Sequence, residues 1–410
     1  MRFFLLVLLL AGGAAGQGEE PAPPDPAVVL NAEGVKHYEA GRFKEAAAAF
    51  RKARGLRPKE KTYARNLASA LHALARERIK KGEQERALND LERAVALDPD
   101  QVVFRIQKGD LLLRMGRRLD ARIVLEKALK KWPGEAACHE AMGRLEYAEE
   151  RLPEAVLFLQ TASRLDPERG KRLAPFLRKV EREARVERTF LVERRGPFVV
   201  KYDDVKFKDV SQEVLEILDG HYTALAADFG HWPKRLVTVV LYTRGDFDKA
   251  TGALGWAGGL FDGKIRLPVR NFRQVRTSIA ATLAHELSHF FVRDITRRCP
   301  LWLDEGLAQL RQGRQAASVA PVLRKLRDAG RLVLPGKLPG SWTRVKSAEE
   351  VKRYYAVSLS FTAWLEERYG YASLVGLLEK LDGKQPFAKV FEATFSRTFR
   401  EEEEDWKLSL

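Results

Sequence analysis

A repeated register runs through the first part of the chain and constrains the fold more than any other feature. Four prolines, at positions 58, 99, 133 and 167, are separated by 41, 34 and 34 residues. An alanine recurs five and twelve positions before each proline, and a large apolar residue recurs eight positions before it. These sets are Ala53, Ala94, Ala128 and Ala162; Ala46, Ala87, Ala121 and Ala155; and Phe50, Leu91, Leu125 and Leu159. A fixed period of this length predicts stacked pairs of helices, in which the alanines allow close approach.

Glycines recur in the same register. Gly41, Gly82 and Gly116 fall between the paired helices, and Gly34, Gly109 and Gly143 fall within the first helix of a pair. Residues 27–168 therefore resemble four tetratricopeptide (TPR) repeats, with Glu150 in place of the inter-helix glycine in the fourth. The second repeat has seven extra residues, which are two helical turns, so we expect a longer first helix with unchanged facing.

The resemblance implies an all-α solenoid with a concave groove that binds a peptide or a protein partner. The alternative is that the repeats only pack on the next domain. Residues 169–188 carry Leu173, Phe176, Leu177 and Val180 at helical spacing, and they predict a capping or connecting helix.

A second constellation lies in the C-terminal half. His285 and His289 enclose Glu286 in an HExxH pattern, on a segment whose apolar residues follow a helical period. Histidines four apart lie on the same helix face, as two imidazole ligands of one zinc ion must. Glu286 lies one position round the helix, where a general base for a zinc-activated water belongs.

A catalytic zinc needs a third protein ligand and one open position. Glu305 is the best candidate, within W-L-D-E-G-L-A at 302–308 and sixteen residues after His289. Pro300 and Gly313 suit the two ends of a short helix, which predicts that Leu301–Gln312 lies beside the first helix.

HExxH followed by W-L-x-E-G-L-A resembles the gluzincin metallopeptidases, the thermolysin-like group also called peptidase MA. The resemblance extends more weakly over 189–410 and implies an α+β domain with a helical C-terminal half. It implies Zn²⁺ as the cofactor, with His285, His289 and Glu305 as ligands and Glu286 as the catalytic base. Gln309 departs from the family, because a carboxylate usually stands one turn after the third ligand and orients a zinc histidine. The second shell is therefore expected to carry less charge than usual.

Tyr355 stands in a Y-x-x-S segment that resembles the C-terminal half of this family. The resemblance implies a hydroxyl opposite the metal that steadies the oxyanion. The alternative is a core aromatic on an amphipathic helix, with Tyr354 as the next candidate for the catalytic hydroxyl.

Between the repeats and the HExxH helix the pattern becomes mixed. Strands are expected on both sides of Arg195-Gly196-Pro197, a helix over 205–229, and a buried strand over 236–242. Asp262-Gly263 predicts a hairpin turn. Pro268 predicts that the strand following this turn lies at a sheet edge. In the family such an edge pairs with extended substrate, and an ordinary edge strand is the alternative.

Residues 1–16 predict a secretory signal peptide, because a short apolar run follows Arg2 and is followed by small residues. Residues 17–26 predict a disordered spacer. We therefore expect an exported protein, periplasmic or extracellular, with no transmembrane segment after cleavage. Two cysteines, Cys138 and Cys299, exclude a disulfide framework. The net charge of +16 is expected to be scattered over helix faces, with no nucleic-acid partner.

Together these patterns predict an exported multidomain protein: an all-α TPR solenoid followed by a gluzincin-like zinc metallopeptidase domain. The repeats would recruit a peptide or protein substrate or a partner. The alternative is a TPR-based binding or assembly protein whose peptidase-like domain is inactive or a scaffold. A five-residue acidic run, 401–405, is expected to be a solvated face.

Export predicts a processed N-terminus. The mature protein should begin near Gln17, because signal cleavage follows the small residues of 12–16. N-terminal sequencing of the cellular protein measures this directly, and an intact Met1 would contradict it.

Overall fold

The chain divides into two compact units, with the division between Val180 and Glu181. The computed structural model describes residues 24–251, 260–269, 272–296, 298–340, 345, 347–381 and 385–410. The predicted signal peptide and most of the predicted spacer lie outside the described residues. The first helix already begins at Pro26, where Asp25 caps it by accepting a hydrogen bond from the backbone NH of Ala27.

The first unit consists of consecutive helical hairpins, each packed on the next. The helix after the last hairpin begins at Pro167, so this proline starts a helix as well as following one. The helices are α1 Pro26–Glu39, α2 Phe43–Leu56, α3 Lys61–Lys80, α4 Gln84–Leu97, α5 Val102–Arg114, α6 Arg118–Lys131, α7 Ala136–Ala148, α8 Leu152–Leu165 and α9 Pro167–Val186.

The recurring glycines mark where the two helices of a hairpin touch. A Cβ atom added at Gly34 would lie 2.5 Å from the ring of Phe50, and one at Gly109 would lie 2.4 Å from Leu125. Phe50 and Leu125 are the apolar residues of the repeated register, and both are buried. The sequence repeat is therefore a repeat of one helix–helix contact, in which a large side chain fills the space left by the glycine.

The two irregular repeats keep the same architecture. The first helix of the second repeat, α3, has 20 residues, whereas its counterparts α5 and α7 have 13. The seven extra residues therefore lengthen this helix, as predicted. Glu150 adopts φ of 64°, in the left-handed region that Gly41 and Gly82 occupy between their helices. The turn in the fourth repeat therefore has the same backbone conformation, although Glu150 stands where the other repeats have glycine.

The second unit is built on a five-stranded sheet in the order β1-β2-β3-β5-β4. β1 and β2 form an antiparallel hairpin, β3 is parallel to both β2 and β5, and β4 is antiparallel to β5. The strands are β1 Phe190–Arg195, β2 Phe198–Asp203, β3 Val237–Tyr242, β4 Leu260–Phe261 and β5 Ile265–Pro268.

The prediction that the strand containing Pro268 lies at a sheet edge is wrong. The strand that ends at Pro268 is β5, which lies between β3 and β4, and the short β4 forms the edge among the described residues. Among the described residues, β4 pairs with Ile265 and Arg266, and β3 pairs with β5 as far as Pro268.

Helices surround the sheet and share one apolar core with it. Phe229, Leu283, Leu287, Phe291 and Phe361 are completely or almost completely buried in this core. The helices are α10 Asp204–Phe229, α11 Arg244–Thr251, α12 Phe272–Ile295, α13 Leu301–Arg311, α14 Ala320–Asp328, α15 Ala348–Tyr369, α16 Tyr371–Leu381, α17 Phe387–Phe395 and α18 Phe399–Ser409.

A buried ion cluster explains why the second unit begins before the first strand. Glu183 and Glu187 have fully buried side chains. Arg266 on β5 reaches them at 2.8 Å and 3.4 Å, and Lys264 and Lys201 complete the cluster. Buried charges need such partners, and removing one of them would leave another uncompensated. The segment predicted as a connecting helix therefore contributes its end to the second unit.

The acidic run in α18 is more than a solvated face, which corrects the prediction. Glu402 is completely buried and accepts hydrogen bonds from the indole NH of Trp364 at 3.1 Å and the hydroxyl of Tyr369 at 2.6 Å. Arg397 lies 2.8 Å from the same carboxylate and balances its charge. One acid of the run thus fixes α18 on the core, which a sequence of like charges does not reveal.

Cys138 and Cys299 are both free thiols. Among the described residues, none of the helices combines the length and the apolar composition needed to cross a membrane.

The helix contact in the repeats gives a stability prediction. Gly34→Ala should lower the free energy of unfolding by about 1–3 kcal/mol, because its Cβ overlaps the Phe50 ring. Gly55→Ala is the matched control, since a Cβ there meets no atom within 4 Å. The control should be neutral or stabilising by up to about 1 kcal/mol. Chemical denaturation of both variants measures the difference, and equal effects would contradict the contact.

Candidate metal centre

The helix α12 carries both histidines of the HExxH pattern. Leu283, Leu287 and Phe291 anchor it in the core, so the histidine face is held against the neighbouring helix α13. The Nε2 atoms of His285 and His289 lie 3.2 Å apart. The two imidazoles thus present the same ring atom to one point.

The helix α13 adds the third residue. It begins at Leu301, after Pro300, and carries Glu305 on its buried side. Glu305 Oε2 lies 3.5 Å from His285 Nε2 and 3.7 Å from His289 Nε2. Among the described residues, these three form the group whose ligand atoms all lie within 4.8 Å of one another and could hold a metal ion.

The spacing of these three atoms fits a tetrahedral ion. Ligand atoms bound to zinc at about 2.1 Å with tetrahedral angles are about 3.4 Å from one another. The separations of 3.2, 3.5 and 3.7 Å lie close to that value. Two imidazoles and one carboxylate are also the donor set of a common catalytic zinc site. The predicted ligands therefore suit zinc in both chemistry and spacing.

Asp304 supports the site and was missed in the sequence. Its Oδ1 lies 2.7 Å from His289 Nδ1, and both side chains are nearly buried. A carboxylate at this distance holds the ring proton on Nδ1, which leaves the Nε2 lone pair for a metal. The signal available in the sequence was an acid directly before Glu305 in the second motif.

Gln309 does not orient a histidine. Its amide Nε2 donates to the backbone carbonyls of Tyr355 at 3.0 Å and Glu305 at 3.3 Å, and its Oε1 accepts from Arg314 at 2.9 Å. His285 Nδ1 is buried and has no hydrogen-bond partner among the residues that the structure describes. The second shell is therefore charged at His289, through Asp304, and lacks a comparable acceptor at His285.

The electrostatics of the site favour a positive charge at its centre. Burial alone would lower the pKa of His289, but the carboxylates of Asp304 and Glu305 outweigh it and raise this pKa to about 9. Burial raises the pKa of Glu286, with a smaller contribution in the same direction from Glu305. A divalent cation would be stabilised by the same carboxylates that otherwise raise the pKa of His289.

Tyr355 and Tyr354 lie in different surroundings. Burial raises the pKa of Tyr355, and the charges of Glu305 and Glu286 raise it further, so its phenol lies within electrostatic reach of both site residues. Tyr354 donates a hydrogen bond to Glu350 on the exposed side of α15. Of the two tyrosines, Tyr355 is the one whose pKa is affected by the charges of Glu305 and Glu286.

Gly306 sets how closely α13 approaches α15. A Cβ there would lie 1.9 Å from Thr362 Oγ1 and 2.6 Å from the carbonyl oxygen of Ser358. The glycine after Glu305 in the motif is therefore required by packing, and it places the third candidate ligand at a fixed depth.

The chain is similar to several proteins of known structure. The chain is similar to TTC0263, a thermophilic TPR protein of Thermus thermophilus, at 24% identity over 39% of this chain and 83% of that chain, with a TM-score of 0.29. It is similar to MamA 41-end of Desulfovibrio magneticus RS-1, at 20% identity over 39% and 96%, with a TM-score of 0.30. It is also similar to yeast Tom70, at 15% identity over 99% of this chain and 66% of that chain, with a TM-score of 0.36.

A search of curated proteins finds no match to this chain. Residues 31–102 and 106–169 match the tetratricopeptide repeat family. The predicted TPR repeats are therefore confirmed, and with them a repeat array of the kind that binds protein partners.

The hydrogen bond from Asp304 predicts a change in metal affinity. Asp304→Ala should weaken zinc binding about 10–100-fold, because His289 loses the acceptor that fixes its ring. Asp294→Ala is a matched control on α12, since Asp294 pairs with His231 and Arg235 and touches neither histidine of the site. Competition with a chromophoric chelator measures both affinities, and an unchanged affinity for Asp304→Ala would contradict the assigned role.

Proposed function

We propose that this protein is an exported zinc-dependent metallopeptidase whose TPR array recruits a protein substrate or partner. The observation that carries the proposal is the convergence of His285, His289 and Glu305, with Glu286 beside them on α12. The gluzincin-like fold and the bound zinc are parts of this proposal. The confirmed part is the repeat array.

His285, His289 and Glu305 would hold the zinc ion, and Asp304 would keep the Nδ1 proton of His289 in place. When bound, zinc supplies Lewis acidity that makes water more acidic and a peptide carbonyl more electrophilic.

The chain's own residues would then move the protons. The Glu286 carboxylate accepts a proton from the attacking water and transfers it to the leaving amine nitrogen. Its burial favours this exchange, because desolvation makes the carboxylate a stronger base than it is in water. The Tyr355 hydroxyl donates a hydrogen bond to the oxygen that gains negative charge as the carbonyl is attacked.

The second candidate is a TPR-based binding or assembly protein with an inactive or scaffolding C-terminal unit. The family match favours it more directly than the peptidase proposal, because that match covers residues between 31 and 169 and stops before α12. The completeness of the candidate zinc set, with a carboxylate base in place, is the reason to put the peptidase first.

Glu286→Gln separates chemistry from metal binding. The variant should keep about one zinc per chain, because Glu286 is not a ligand, while peptide hydrolysis should fall about 100- to 10,000-fold, because an amide cannot accept the proton. His289→Ala should instead lose the stoichiometric zinc. Elemental analysis and a peptide-cleavage assay measure both effects.

Glu216→Gln, on the exposed side of α10, makes the same chemical change away from the site and should leave zinc content and cleavage unchanged. Zinc lost from Glu286→Gln would show that the ligands are misassigned. A wild-type chain that binds partners and cleaves no peptide would favour the second candidate.

A further inference from the structure

The helices α13 and α15 meet at two successive points. Gly306 packs on Ser358 and Thr362, and one turn further along α13 the amide of Gln309 reaches the carbonyl of Tyr355. The contacts run in opposite directions along the two helices, so the pair is antiparallel. Gln309 therefore bonds α13 to the turn of α15 that carries Tyr355.

The hydrogen bonds of Gln309 make this link specific. The side chain is 1% exposed, and its one amide nitrogen donates to a carbonyl on its own helix and to a carbonyl on the facing helix. Its oxygen accepts a hydrogen bond from Arg314 at 2.9 Å, so both ends of the amide have partners. An ionised carboxylate could not make these contacts, since it cannot donate to either carbonyl.

The same contacts explain the departure from the gluzincin pattern. The family pattern predicts that the side chain at position 309 orients a zinc histidine. The Gln309 amide instead donates to the backbone carbonyls of Glu305 and Tyr355. His285 Nδ1 has no hydrogen-bond acceptor among the residues that the structure describes. The contacts of Gln309 therefore support the helix pair and not a ligand ring.

We infer that Gln309 is a positioning residue that fixes the Tyr355 turn of α15 against the Glu305 turn of α13, and so sets Tyr355 relative to the metal centre. The inference rests on the proposed function. Positioning at this level matters because a displacement of about 1 Å at a catalytic group can cost about a hundredfold in rate.

Nuclear magnetic resonance can test the positioning without an activity assay. The full-length protein is labelled with ¹³Cζ-tyrosine, and Tyr355 is assigned as the resonance lost in Tyr355→Phe, among ten tyrosines. Addition of one equivalent of zinc should shift this resonance in the wild type. In Gln309→Met, which keeps the length of the side chain and loses its hydrogen bonds, zinc should still bind and the shift should be lost or greatly reduced.

A double-mutant cycle gives the second readout. Gln309→Met should lower kcat about tenfold to a hundredfold with little change in KM, and should lower it no further in a Tyr355→Phe background. A merely structural role would lower kcat by the same factor in both backgrounds. Gln309→Glu, which also loses the donor to Tyr355, provides the same test if Gln309→Met does not fold.

Gln315→Glu is the control, since Gln315 is an exposed glutamine shortly after α13. It should keep both the zinc-induced shift and the activity. A full shift in Gln309→Met with zinc bound, or additive losses in the cycle, would overturn this inference and leave the proposed function standing. A wild-type chain that takes up no zinc would overturn both.

Discussion

The close packing of α13 on α15 at Gly306 is the contact on which the candidate centre depends. Glu305 precedes this glycine, so its depth is fixed where the two helices touch. The core under α12 fixes the other side through Leu287 and Phe291. Three ligand atoms from two helices converge to within 4.8 Å, because close packing holds both helices in place.

The repeats were readable from the sequence for a physical reason. In three of the four hairpins a glycine contacts the large residue sixteen positions later, as Gly109 contacts Leu125, and in the second hairpin Ala75 stands in place of the glycine, so the constraint recurs in register. The HExxH pattern is recognisable in the sequence because a set of zinc ligands needs defined residue types at helical spacing. Both signals are local or periodic, and a single sequence shows such signals directly.

The rest depends on contacts between distant segments. Asp304 could not be assigned to His289 until α12 and α13 were placed together, and Gln309 could not be assigned to Tyr355 without α15. The edge strand was misplaced because the pairing of β5 with β4 depends on the whole sheet order. The acidic run predicts a solvated face because the partners of Glu402, Trp364 and Tyr369, lie more than thirty residues away in the sequence.

The most direct test of the central claim is zinc K-edge X-ray absorption on the full-length protein, purified without chelators. The account predicts bound zinc with a nitrogen and oxygen shell at about 2.0–2.1 Å that includes two imidazoles, from His285 and His289, and a carboxylate from Glu305. Protein without zinc would contradict it. So would a sulfur shell at about 2.3 Å, because it would assign the metal to Cys138 or Cys299 in place of the proposed ligands.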